Sequence, residues 1–365
     1  MKTWEVIVIG GGIIGLSLAL ALRKRGLRVL VVERGEPGCE ASYAAAGMIA
    51  DFGPELPPSL LPLALASARM YPEFVHELQD ESGTQVDLRD NGTLLLSGPA
   101  GSGLGWKSGW EAEDDLEPVS PKALAELEPE LRLREYAAFF RKERSVDPRA
   151  LATAAIRAAK HREVDFVTGN AVQRVMTSGG RASGVFAGKT AYSAPMVVNC
   201  AGAWAGNIPP SQFPVRPVKG QILSVIGVPK LQHVVRGADV YLVPRTDGRI
   251  LVGATLEDAG YDKRVELEVV RRLQQGAADL VPALSEGKLH QAWAGLRPGT
   301  ADGLPILGET SVAGYFVASG HYRDGVLLAP ITAKVMAQVI CREKCEFDLG
   351  AFLPLRFDEK QVVIG

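Results

Sequence analysis

The chain has 365 residues, 47% of them hydrophobic and 22% charged, with a formal net charge of −2. This supports a large core, in two domains or one large α/β unit, and gives no global basic field for nucleic acid or an anionic membrane. Apolar runs such as Leu16–Leu22 are too short to span a bilayer, and the first strand starts almost at Met1, so neither membrane insertion nor a signal peptide is expected and a cytoplasmic location is the default.

Glu5–Ile9 reads EVIVI, an apolar β-branched run. Gly10-Gly11-Gly12-Ile13-Ile14-Gly15 follows, then an Ala/Leu-rich helix to Arg25, a strand over Arg28–Val32, and Glu33. Strand, glycine turn, helix, strand and acid in this order fit a dinucleotide-binding βαβ unit. Gly10 permits the sharp turn, Gly12 lets a pyrophosphate approach the backbone, and Gly15 lets helix and strand pack closely. The free N–H groups and the positive helix end face the phosphates. Glu33 is placed to accept hydrogen bonds from ribose hydroxyls. Gly26 suits the helix C-terminus, and Arg23, Lys24 and Arg25 suit its negative end.

Small residues fill Ala41–Met48, where the backbone could lie against a flat ligand or simply begin an Ala-rich helix. Pro54–Pro62 reads as a loop and Leu63–Glu81 as a helix, with Tyr71, Phe74 and Leu78 on one face. Asn91–Leu96 turns into a strand, and Gly98–Gly109 is glycine-rich. Ser120 caps a short helix over Pro121–Leu127, and Asp147 caps another from Pro148 through Lys160. Strands are expected at Val164–Val167, Val172–Val175 and Met196–Val198, the last running into Asn199-Cys200-Ala201-Gly202-Ala203-Trp204, where a sheet would present backbone to a ligand.

From Val215 the texture changes. Strands at Ile222–Ile226, Val240–Val243 and Ile250–Val252, separated by turn signals such as Asp247-Gly248, suggest an antiparallel sheet inserted into a parallel framework. Leu267–Leu280 reads as a helix and Ala294–Gly308 as a polar Gly/Pro-rich loop. Tyr315–Ala318 is a final strand, and a helix is expected from Val326 to about Cys341. Cys341 and Cys345 lie four apart, yet no second pair accompanies them, so Cys39, Cys200, Cys341 and Cys345 read as reduced thiols and no metal site is expected.

No GxSxG or HExxH motif occurs, and no acid/base pair stands out among five scattered histidines. What remains is a nucleotide fold with arginines in loops after apolar strands. A cofactor would carry the chemistry while the protein orients the substrate. Besides the glycine turn, the chain contains Ala44-Ala45-Ala46-Gly47-Met48, Pro217-Val218-Lys219-Gly220, Tyr241-Leu242-Val243-Pro244-Arg245, Ala294-Gly295-Leu296-Arg297-Pro298 and Gly320-His321-Tyr322-Arg323-Asp324-Gly325, in that order. In these motifs it resembles the D-amino acid oxidase superfamily of flavoproteins, and within it the glycine oxidases, over essentially its whole length.

The resemblance implies an α/β fold. A Rossmann-like FAD-binding domain (1–85, 143–208 and 300–365) would carry an inserted α+β substrate domain (86–142 and 209–299) on a mostly antiparallel sheet. It implies noncovalent FAD, with Gly10, Gly12, Ile13, Ile14 and Gly15 at the pyrophosphate and Glu33 and Arg34 at the adenosine half. Ser42, Ala46, Gly47 and Met48 would line the isoalloxazine, Val172 would flank the adenine, and Ala201 and Gly202 would lie near the pyrophosphate. Gly320, His321, Tyr322, Arg323, Asp324, Gly325, Val326 and Leu327 would close over the flavin. Backbone N–H groups at the start of the Val326 helix could then stabilise charge on the reduced ring.

The implied substrate site uses Arg297 as a carboxylate clamp, Tyr241 as a hydroxyl donor to the same carboxylate, and Arg323 at the pocket border. Against these roles stand a surface ion pair for Arg297, a core tyrosine for Tyr241 and a structural flavin contact for Arg323. His321 reads as a loop hydrogen-bonder rather than a catalyst, and Leu256 as an apolar wall. The implied reaction is oxidation of glycine, and of sarcosine or small D-amino acids, by hydride transfer to flavin. Glyoxylate, ammonia and hydrogen peroxide result, for thiamine thiazole synthesis. The partners are a small amino acid and molecular oxygen, without nucleic acid, and a homo-oligomer is expected. Gly98–Gly109 departs from a charged helix in relatives, which puts oligomer contacts there in question. Two other functions remain open: a dehydrogenase passing electrons to a quinone or protein, and a flavin domain acting on modified tRNA, whose affinity would fall with salt.

Overall fold

Strand Val6–Ile9 (β1) is buried along its whole length, and its alternation sorts two hydrophobic clusters. Val6 and Val8 join the cluster beneath helix Ile13–Lys24 (α1), while Ile7 and Ile9 face the opposite layer. Strand Val29–Val32 (β2) divides in the same way. Such two-sided burial is what a continuous Val/Ile run provides in a parallel sheet covered on both faces. The computed structural model describes residues 3–53, 56–97, 116–132 and 137–357. The glycine-rich Gly98–Gly109 stretch lies outside the described residues.

β1 is central in a six-stranded sheet. In order, its strands are Ile306–Glu309, Tyr315–Ser319, Met196–Asn199, β1, β2 and Asp165–Val167, and only the first pairing is antiparallel. Helices Leu61–Ser82, Pro148–His161 and Ala329–Ile340 pack with α1 on one face. The 22-residue helix keeps going through Pro72, whose missing N–H leaves the Ala68 carbonyl to the Arg144 guanidinium at 3.5 Å. It ends at Gly83, which has φ +64°.

A second, eight-stranded sheet carries the later strands. From one edge it runs Lys288–Gly299, Arg216–Ile226, Ile250–Gly253, Tyr241–Pro244, Val234–Arg236, Thr93–Ser97, Ala137–Arg141 and Glu117–Val119. All neighbours are antiparallel except Val234–Arg236 with Thr93–Ser97, so the sheet is mixed. Amphipathic helix Leu267–Leu280 covers one face through Val269, Val270 and Leu273. The other face presents Ile222, Val243, Leu251 and Trp293 toward Ala44 and Ala46 of the first layer. Among the described residues two three-stranded sheets accompany these; one is an antiparallel meander of Val172–Ser178, Arg181–Ala187 and Thr190–Ser193, of which the sequence pattern reveals only the start.

Three expected boundaries are corrected. Pro62 belongs to the first turn of the Leu61–Ser82 helix, where a proline costs no hydrogen bond. The C-terminal helix starts at Ala329, after a turn closed by the Leu328 N–H to the Asp324 carbonyl at 2.8 Å. The larger correction concerns Ala294–Gly308, which is no loop over its first half: Lys288–Gly299 is an edge strand carrying Arg297. Pro298 faces Pro217 across the ladder. The Lys219 N–H, two residues on, points away to the Glu257 carbonyl at 3.0 Å, so by parity neither proline removes a bond from this pairing. A Cβ at Gly295 would collide with Ala44, so that glycine serves close packing rather than a turn.

Candidate active site

The carboxyl end of β1 opens onto an elongated cavity of ≈ 360 Å³ between the two large sheets. Gly10 turns the chain with φ +101°, and a Cβ there would fall 2.5 Å from the Cys200 carbonyl oxygen. A Cβ at Gly15 would overlap the Gly10 carbonyl. Gly12 differs. Its φ is −74°, and an added Cβ would meet only Ser42 Oγ at 3.4 Å. The fold therefore demands glycine at 10 and 15 but not at 12, where the absent side chain serves the cavity. Ser42 Oγ accepts the Ile13 N–H at 2.9 Å; Gly12 adds no side-chain cap and the first turn of α1 holds no acid. This helix end is suited to an anion.

Glu33 is buried after β2. Its Oε2 accepts the Gly11 N–H at 2.7 Å and its Oε1 the Gly35 N–H at 2.9 Å. It braces the glycine turn, and an ionised carboxylate keeps capacity for further donors. At this end the wall also includes Val172, Ala201, Gly202 and Arg34, whose guanidinium lies 3.4 Å above the Trp204 ring centroid. Trp204 in turn stacks on Tyr261, with centroids 5.4 Å apart. Trp204 ends the small-residue run in the sequence, and nothing local there marks it as the partner of Arg34 and Tyr261.

At the far end Tyr241 and Arg297 converge from the eight-stranded sheet. Tyr241 stands opposite Gly253, and Arg297 opposite Val218, two residues from Gly220. A Cβ at Gly253 would fall 2.5 Å from the Tyr241 hydroxyl, and one at Gly220 would fall 2.6 Å from the Arg297 Cζ. The two glycines form a floor on which both side chains lie flat. The Arg297 Nη1 donates to the Thr255 carbonyl at 3.0 Å and the Lys219 carbonyl at 3.4 Å. Among the described residues no carboxylate lies within ion-pair distance of it. Burial pushes its pKa down, with Arg323 adding to that shift and Tyr241 opposing it. Burial pushes the Tyr241 phenol up, against the pull of Arg297, Arg323 and Arg236.

Ala46, Gly47, Met48, Ile14, His321, Tyr322, Arg323, Gly325 and Val326 share this cavity wall. His321 is buried and bonds the Thr332 hydroxyl through Nε2 at 3.0 Å. Gly15, Gly320 and Leu327 lie off the wall: Gly320 packs on Thr300, and Leu327 points into the core while its carbonyl accepts Ser67 Oγ at 2.6 Å. Asp324 instead lines an adjoining outer cavity of ≈ 580 Å³, together with Leu256, and both cavities touch Met48, Tyr322 and Arg323.

A model for FAD-dependent oxidoreductases of the DAO type matches residues 5–339. The chain belongs to the DAO family of FAD-dependent oxidoreductases. Glycine oxidase of Geobacillus kaustophilus is 34% identical over 383 residues, covering 96% of this chain and 96% of its own. A crystal structure of glycine oxidase from that organism superposes with a TM-score of 0.91 at 32% identity, over 98% of this chain and 99% of that one. The bifunctional protein ThiO/ThiG of Trichormus variabilis is 33% identical over 367 residues, covering 98% of this chain but 56% of its own length, so the chain spans about half of that relative. Hydrogen cyanide synthase subunit HcnC of Pseudomonas aeruginosa is 30% identical over 421 residues, covering 100% of this chain and 99% of its own.

The residues of this DAO-family chain fit FAD. The cavity wall joins the acid after β2, the N-terminal end of α1 and the arginines under the second sheet. Gly12, without a side chain, leaves its backbone open to the cavity beside that helix end.

Proposed function

We propose that this oxidoreductase acts on small amino acids, glycine foremost, with sarcosine and small D-amino acids as further substrates. The observation that carries this reading is Arg297: a half-buried guanidinium on the cavity wall, held by two backbone carbonyls and unmatched by a carboxylate among the described residues. A planar guanidinium grips both oxygens of a carboxylate at once. A substrate carboxylate in that position would supply the missing charge. Tyr241 adds its hydroxyl to the same carboxylate, and Arg323 borders the pocket beside the outer cavity.

In this reading the segments building the six-stranded sheet (1–85, 143–208 and 300–365) hold noncovalent FAD. Gly10, Gly12, Ile13 and Ile14 serve the pyrophosphate, Glu33 and Arg34 the adenosine. Segments 86–142 and 209–299 deliver the substrate groups. FAD held there would supply the two-electron acceptor for the substrate Cα–H, with oxygen as the final acceptor giving hydrogen peroxide; the imine product hydrolyses to glyoxylate and ammonia. Arg297 and Tyr241 fix the carboxylate so that Cα faces the flavin side of the cavity. No protein acid or base acts at Cα.

Glycine oxidases and ThiO/ThiG among the relatives support glycine and a thiamine-related role. Among the described residues no helix is long and apolar enough to cross a membrane. The test is a substrate panel on purified protein with coupled peroxide detection. Peroxide on adding glycine is expected; a panel with no peroxide from any small amino acid would reject the oxidase. The whole-length match to HcnC favours one second reading, a dehydrogenase with an acceptor other than oxygen. Glycine-dependent dye reduction without oxygen uptake would select it.

A further inference from the structure

The ladder between strands Arg216–Ile226 and Ile250–Gly253 does not continue evenly past the site. It pairs Ile222 with Gly253 and resumes only at an isolated bridge between Lys219 and Glu257. The second strand thus spends one more residue than the first over this interval, the arrangement of a β-bulge. Within it the Gln221 N–H turns to the Thr255 hydroxyl at 2.9 Å instead of a carbonyl. The Thr255 carbonyl is released from the ladder and receives the Arg297 Nη1. The Lys219 carbonyl takes the Glu257 N–H at 3.0 Å and Arg297 as well.

The reverse face of the same residues carries an ionic network around a buried lysine. Strand alternation sends Lys219 and Gln221 away from the face that holds Gly220 and Arg297. Lys219 is 1% exposed, with its Nζ 2.9 Å from Glu266 Oε1 and 3.3 Å from Glu257 Oε2. Glu257 also accepts Gln221 Nε2 at 3.0 and 3.1 Å, and the Thr255 hydroxyl. The Glu266 N–H donates to Gln221 Oε1 at 2.8 Å. Glu266 occupies the N-cap of helix Leu267–Leu280 without capping it; its side chain serves Lys219 instead. Burial alone would lower the Lys219 pKa, but Glu266 and Glu257 outweigh it and hold it above the usual lysine range.

We propose that Lys219 is a positioning residue for the substrate clamp: its ion pairs with Glu257 and Glu266 lock the bulge so that the Thr255 and Lys219 carbonyls hold the Arg297 guanidinium in its carboxylate-gripping orientation. The inference rests on Arg297 being the clamp. A breakable salt link behind the sheet then sets substrate affinity through the backbone, without touching substrate or flavin. A lysine that only anchors the strand would affect stability and leave affinity alone.

The test uses FAD-loaded enzyme titrated with glycolate, a carboxylate lacking the amine, and followed by the perturbation of flavin absorbance. Lys219→Met should weaken glycolate binding and raise the glycine KM by about tenfold, with kcat changed by less than about twofold and FAD retained. In an Arg297→Ala background the same substitution should add nothing. Parent-like glycolate affinity in Lys219→Met, or its full effect persisting without Arg297, would overturn the inference. Unchanged glycolate affinity in Arg297→Ala alone would instead refute the clamp, which separates the two failures. If Lys219→Met does not fold, Glu257→Gln carries the test: weakened glycolate binding supports the network, and parent-like binding overturns it.

Discussion

The guanidinium of Arg297 lies directly over Gly220, so close that a Cβ on that glycine would fall 2.6 Å from Arg297 Cζ. Gly220 is not in the left-handed region, and alanine is compatible with its strand conformation. Gly220→Ala should therefore leave the fold and FAD content intact while pushing the guanidinium off its two carbonyls. A misplacement near 1 Å costs on the order of 10²-fold in kcat/KM. Steady-state kinetics with glycine alongside flavin absorbance check this; parent-like kcat/KM would mean that the Arg297 position does not matter.

The three spaced glycines at the turn should separate by substitution. Gly10→Ala meets both the Cys200 carbonyl and a φ of +101°, and the strained backbone alone costs about 1–3 kcal/mol. Gly12→Ala meets neither obstacle within the protein. Thermal unfolding of the flavin-free forms should show Gly10→Ala strongly destabilised and Gly12→Ala close to the parent, while Gly12→Ala loses FAD affinity. If Gly12→Ala binds FAD as the parent does, the pyrophosphate does not lie against that turn.

These contrasts show how far local pattern carries. The βαβ unit was legible because each of its parts is local: a β-branched run, glycines at fixed offsets, and an acid one strand later. The caps at Ser120 and Asp147 were legible for the same reason, and each side chain accepts N–H groups of its own first turn. The Arg297 strand was not legible. Ala-Gly-Leu-Arg-Pro-Gly has loop composition, and its glycine is explained by Ala44, some 250 residues earlier in the chain, as Gly220 is explained by Arg297. The Lys219 network is equally nonlocal, since its carboxylates arrive from beyond the next three strands.

Tyr241 should act as a permanent hydroxyl donor. Burial raises its pKa above the ordinary phenol value, so it stays protonated throughout the neutral and mildly alkaline range. Tyr241→Phe should raise the glycine KM by about fivefold, in keeping with about 1 kcal/mol for one lost hydrogen bond, and leave the pH profile of kcat/KM in place. That profile then reports the substrate amine. An alkaline limb that disappears in Tyr241→Phe would assign the titration to the phenol instead.

His321 gives the clearest expectation for stability against pH. It is buried against Thr332, and burial pushes its pKa down to about 3 from the usual 6.5. The folded chain therefore keeps this imidazole neutral, while the unfolded chain protonates it once the pH falls below 6.5. Its contribution is fully present above 6.5 and is lost progressively as the pH drops toward 3. Between pH 6.5 and 5 the paired carboxylates Glu81, Glu257 and Asp302, all held below their ordinary values, do not yet titrate. One proton taken up only on unfolding gives a slope of up to about 1.4 kcal/mol per pH unit in this window. His321→Asn removes that proton and should flatten the slope, whatever its effect on absolute stability. Urea unfolding of both proteins at several pH values between 5 and 7 measures the difference. Parallel slopes would place the His321 titration outside this window.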